Sequence, residues 1–244
     1  MNMPGIDSKF PRQLRLGFLG GTALAVGLTI YGAILVPASL DGSGGWISIL
    51  AAVGILLVYA AVGFWGIPAA WRAYPQSLRL SVQFGLAAGA IFAAEIILEY
   101  LLLPDTRTNT WMGYAEFGGV FILFFIAGWL GARRSGKLRA GLQAAFWCAL
   151  LASLLWLNVL LLTHYAFHGT LRQVLVLKAE GTYEDYVSSG IQSFDAFVIQ
   201  DLRGAGFYHL ILGPLIATIL GGAAGIIQFI IGKLWKTHLT KLEG

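Results

Sequence analysis

Charge is what this sequence has least of. Only 11% of its 244 residues are charged, against 57% hydrophobic residues, and the mean hydropathy is +0.75. A water-soluble domain carries about 25% charged residues. So few charges cannot furnish a water-facing surface, and lipid must cover most of the chain. Cysteine is nearly missing as well. The single Cys148 lies within an apolar run, which excludes a disulfide framework and a thiolate metal site. Catalytic signatures are lacking too: there is no H-E-x-x-H, no G-x-S-x-G, and no Glu-x-x-His repeat of the di-iron bundles. The sequence therefore gives no ground for assigning enzymatic turnover, and it names no cofactor.

What is abundant is long apolar runs. A hydrocarbon crossing needs about 20 apolar residues. Six stretches meet that length, at residues 16–38, 46–67, 80–103, 112–131, 141–164 and 208–232. The fold class predicted is an all-α, polytopic helical bundle forming a single membrane domain over residues 1–244. Trp46, Trp65, Trp71, Trp111, Trp129, Tyr208 and Trp235 mark the span ends, as expected of an interfacial aromatic belt. The first run is too long for a signal-peptide core and has no clean cleavage site, so it reads as a retained helix.

The basic residues are distributed unevenly. Lys9, Arg12, Arg15, Arg72, Arg79, Arg133, Arg134, Lys137, Arg139, Lys233, Lys236 and Lys241 fall on one side of the spans, with only Asp7 and Glu243 as acids. The other side holds Arg107, Arg172, Lys178 and Arg203 against Asp41, Asp105, Glu180, Glu184, Asp185, Asp195 and Asp201. By the positive-inside rule both termini are cytoplasmic, in a cell inner (plasma) membrane. Anionic lipid head groups then account for the net charge of +4, and no nucleic-acid partner is required.

Three inward-facing segments look alike: QLRLGFLGGTAL from Gln13, SLRLSVQFGLAAG from Ser77 and KLRAGLQAAFWCAL from Lys137. They fit either three repeated helical hairpins or the ordinary appearance of any helix that starts on this side. Gly17 and Gly21, Gly85 and Gly89, and Gly221 and Gly225 each form G-x-x-x-G, which lets helix backbones approach closely. The expected use is packing within the bundle, with a homo-oligomer as the alternative. Pro214 should kink the last span, leaving a carbonyl for a neighbouring helix to satisfy.

Glu95 stands out as an acid inside an apolar span. At about 1.5 Å per residue it lies about 22 Å from the basic end of its helix. A charge at that depth costs at least a few kcal/mol when unpaired, so it marks a candidate site. Glu99 follows one turn later and Glu116 enters from the next span. His164, His168 and His209 reach the same level. Together these six residues form a candidate ion or proton site, since His-x-x-x-His can present two imidazoles to a metal and imidazole titrates near neutral pH. The bland alternative is interfacial side chains touching water or pairing with Arg107.

Residues 165–207 form the one long extramembrane loop. A short helix is predicted up to Gly181. An amphipathic helix then starts with a capping-box-like Thr182–Asp185 and is stopped by Gly204-Ala-Gly206. Its acidic face, with Asp195 and Asp201, would make it a lid over the candidate site. The cytoplasmic half of the bundle offers few polar side chains beyond Gln83 and Gln143, which argues against a path for solute. A structural, assembly or sensory membrane protein is the leading expectation. A small-solute or cation transporter, or an outer-face metal-dependent enzyme, is the alternative.

Overall fold

A computed structural model describes residues 9–102 and 105–242. Leu103, Asp7 and Glu243 lie outside the described residues, as do the side chains of Lys233, Trp235, Lys236 and Lys241. The chain is an all-α helical bundle. Helix α1 spans Lys9–Leu35, and a short 3-10 turn at Pro37–Leu40 leads into α2, Gly42–Ala61. One π-turn at Val62–Gly66 joins α2 to α3, Ile67–Ala73, so the second crossing is one rod in three pieces. Then come α4 (Pro75–Leu102), α5 (Thr106–Ser135), α6 (Leu138–Ala166), two short helices α7 (Leu171–Ala179) and α8 (Thr182–Ser189), and the long α9 (Phe194–Leu242).

Six of these helices, counting α2 and α3 as one, are long and apolar enough to cross a membrane. An even number of crossings brings both ends of the chain to the same end of the bundle. That end also carries the α3–α4 and α5–α6 turns and their arginines and lysines, and is called the basic end below. The opposite, acidic end carries α7 and α8.

Helix α6 is the hub. Its most apolar window is 67% buried inside the bundle, against 22–39% for the other five spans. The three hairpins therefore hold unlike positions, because α1 and α4 show lipid a face that α6 does not. Small residues explain how α6 is surrounded. A Cβ on Gly85 would stand 2.8 Å from the Cys148 carbonyl oxygen, and one on Gly89 would stand 2.7 Å from Leu155. Gly221 abuts Ala145, and Gly225 abuts Leu138. Of the predicted glycine pairs only Gly17 meets nothing within 4 Å.

Polar side chains bridge the helices where lipid offers no hydrophobic drive. Asn158 donates to the Gly21 carbonyl at 3.1 Å, Tyr165 to Leu28 at 3.0 Å, and Gln143 to Ala70 at 3.1 Å. The carbonyl that Pro214 leaves without a helical donor is that of Leu210, and the Tyr59 hydroxyl donates to it at 2.7 Å. Helix α9 continues through the proline.

The loop at the acidic end departs from expectation in two places. Gly181 (φ 85°) precedes α8 and no side-chain cap forms; the Thr182 hydroxyl instead reaches the Glu180 carboxyl at 3.5 Å. The amphipathic segment is also two helices, not one. Gly190, at φ 74°, ends α8 in the left-handed region that favours glycine, and the Ser193 hydroxyl caps the new helix through Ala196 N–H at 3.3 Å. Gly204 and Gly206 do not stop α9. A Cβ on Gly206 would stand 2.9 Å from Leu157, so this glycine serves close packing against α6.

Candidate functional site

Helices α4 and α5 pack side by side, which sets the register of the acidic residues. Glu99 stands near the end of α4 and Asn109 near the start of α5; deeper in, Glu95 on α4 is close enough to Glu116 on α5 for the two carboxyls to interact. Asp105 starts α5 by accepting the Thr108 N–H at 2.7 Å. That bond holds the Asp105 carboxyl below the usual carboxylate range. The Glu99 carboxyl interacts with the side chains of Glu95, Asn109 and Glu180. Glu99 and Glu116 are each only 8% exposed, and Glu95 is half-buried. The neighbouring charges that act on Glu95, Glu99 and Glu116 are all carboxylates, and Arg107 is not among them.

Glu180 is the member that sequence reading missed. It looked like one loop acid among several. What delivers it is Arg172, whose guanidinium donates to the last carbonyls of α4, Tyr100 at 2.8 Å and Leu101 at 3.1 Å. This docks α7 on the end of α4 and brings its C-cap, Glu180, close enough for its carboxyl to interact with that of Glu99. The Glu180 carboxyl is pushed up to about 8, first by the enclosure of its side chain and then by Glu99 and Asp201, although the residue as a whole is exposed. Asn109 contributes a buried Oδ1 that has no hydrogen-bond partner among the described residues.

The histidines go elsewhere. His164 is buried at 2% exposure, and Gln173 Nε2 lies 3.1 Å from its Nδ1. Because Gln173 Oε1 accepts the Gly169 N–H at 2.8 Å, its amide nitrogen faces the ring as donor, and His164 Nδ1 serves as acceptor. His168 stands beside it, ring centroids 6.0 Å apart, and both line a cavity of about 80 Å³ with Asp195. His209 is in a third place. Its ring stacks on Trp156 at 3.8 Å, flanked by Phe92 and Phe117, and its Nδ1 faces the Ala205 carbonyl at 3.1 Å.

The structure thus brings together Glu95, Glu99 and Glu116, adds Glu180, and sets the histidine pair with Asp195 in a neighbouring pocket. Asp201 interacts with Glu180 and Asp185 at the rim. Among the described residues no group of three or more His, Cys, Asp or Glu is arranged to hold a metal ion. The fold and this site define a polytopic helical bundle with a four-carboxyl cluster at its acidic end. No family model, no curated protein and no solved structure matches the chain.

Proposed function

We propose that this is an inner-membrane protein without catalytic turnover, oriented with its basic end in the cytoplasm, whose outer face responds to protons through Glu95, Glu99, Glu116 and Glu180. What supports this reading is the placing of the Glu99 carboxyl, only 8% exposed, within interaction range of two others, Glu95 and Glu180. Two carboxylates repel, whereas a carboxyl and a carboxylate share one proton in a hydrogen bond. At the edge of the hydrocarbon, repulsion is poorly screened, so each added charge costs more than in water. Protonation joins α4, α5 and the α7 cover into one unit, and deprotonation pushes them apart.

A sensory or assembly role fits this geometry better than transport. Toward the basic end Gln143 bonds Ala70 and Ser81 bonds the Ser77 carbonyl at 2.8 Å, while Gln83 lies on an exposed face. Among the described residues these form no line of free groups through the interior for a solute to follow.

The test is thermal unfolding of the purified protein in detergent from pH 5 to pH 8, with and without calcium, beside Glu99→Gln. The reading expects the wild-type midpoint to fall as pH rises and Glu99→Gln to flatten the curve by raising its alkaline end. A midpoint restored by calcium at pH 8 would point to a cation in place of the shared protons. Coincident curves for the two proteins would sink the proposal.

A further inference from the structure

At the basic end, helix α9 parts company with the bundle and opens a groove. Gly221 and Gly225 press α9 against α5 and α6, yet two turns later a Cβ on Gly232 would meet nothing within 4 Å among the described residues. The wedge so formed has a volume of about 490 Å³ and is lined on one side by Arg133 and Lys137 and on the other by Gln228, Phe229 and Gly232. Among the described residues no acid lines it. Leu138 and Ala132 form an apolar floor, and exposed Phe229 continues that floor onto the face of α9 that looks toward lipid. The first turn of α6 borders it too, and Lys137 at its N-cap makes no side-chain cap bond, so the positive end of a 29-residue helix adds to the field. Lys137 Nζ stands 5.8 Å from the ring of Tyr74, which lies outside the groove's lining, and its long side chain can turn to the groove when an anion arrives.

Position adds a further constraint. The groove lies where the apolar spans α5, α6 and α9 reach their basic ends, the level of lipid phosphates in a bilayer. We propose that it is a binding site for one anionic phospholipid, with the phosphate held by Arg133 and Lys137 and an acyl chain laid along Leu138 and Phe229. Charge complementarity selects this occupant: a free phosphate would leave the apolar floor open, and a zwitterionic lipid would bring a cation to a rim already cationic. Basic pockets between spans commonly serve head groups in this way. The site is at the opposite end from the carboxyl cluster, so either reading can fail without the other.

The full chain in detergent would be titrated with phosphatidylglycerol, with phosphatidylcholine of the same acyl chains, and with inorganic phosphate. Bound lipid is counted by native mass spectrometry and the unfolding midpoint is followed in parallel. Tight binding of a single phosphatidylglycerol is expected, weakened about tenfold or more in Arg133→Gln/Lys137→Gln. Gly232→Leu, which fills the wedge without touching a charge, should weaken it as well. Arg139→Gln, exposed at the same end but outside the groove, should leave it unchanged. Equal binding of phosphatidylcholine, an equal midpoint shift from phosphate alone, or equal loss in Arg139→Gln would each overturn the proposal.

Discussion

Tyr59 and Pro214 show how single residues hold this bundle together. Proline removes one helical donor, and the orphaned Leu210 carbonyl is buried where no water can serve it. Tyr59→Phe should cost about 1–2 kcal/mol in unfolding free energy, and the cost should largely vanish in a Pro214→Ala background, where the helix supplies its own donor. A Tyr59→Phe penalty that persists with Pro214→Ala would assign the hydroxyl another role. The proline was legible in the sequence, but its partner was not, because Tyr59 lies 151 residues away. Glu95, Glu99 and Glu116 were legible for a related reason: acids are costly in apolar spans and so stand out. Glu180 was hidden among affordable loop acids. Its folded-state pKa is raised above the unfolded value, so its neutral form stabilises the fold fully below about pH 4.3, and that contribution is lost as pH rises through about 8. Glu180→Gln should therefore reduce the fall in unfolding midpoint between pH 5 and pH 8; an unchanged slope would remove Glu180 from the cluster.

At the scale of elements, the six crossings were readable because apolar length alone decides them, while helix ends and breaks were not. Gly204 and Gly206 resemble a stop signal, yet α9 runs through both, since tertiary packing against α6 overrides the weak local preference of glycine. Gly190 does stop a helix, and its positive φ is a property of the folded backbone that spacing cannot reveal. The two kinds of glycine separate experimentally. Gly204 has open space around its Cβ position, so Gly204→Ala should raise stability by about 0.5–1 kcal/mol. Gly206→Ala meets Leu157 and should gain less or lose. Equal gains at both positions, read from unfolding midpoints, would contradict a continuous helix packed on Leu157.

For the whole molecule, polarity is divided between two ends. The basic end gathers arginines and lysines around the turns and the α9 groove, and the acidic end gathers carboxyls beneath α7. Helix α6, central and mostly apolar or small in its side chains, separates them without a polar path. The proposed proton response at the acidic end, coupled to the docking of α7, needs no such path, which is why a sensory or assembly role suits this architecture. The central claim is that the carboxyl cluster holds protons at neutral pH. Infrared difference spectroscopy reads this directly, through the carbonyl stretch of protonated carboxylic acids in the purified protein at pH 7. The account expects such a band, titrating away toward alkaline pH and diminished in Glu95→Gln and Glu99→Gln. A spectrum with every carboxyl ionised at pH 7, or a band indifferent to both substitutions, would contradict it.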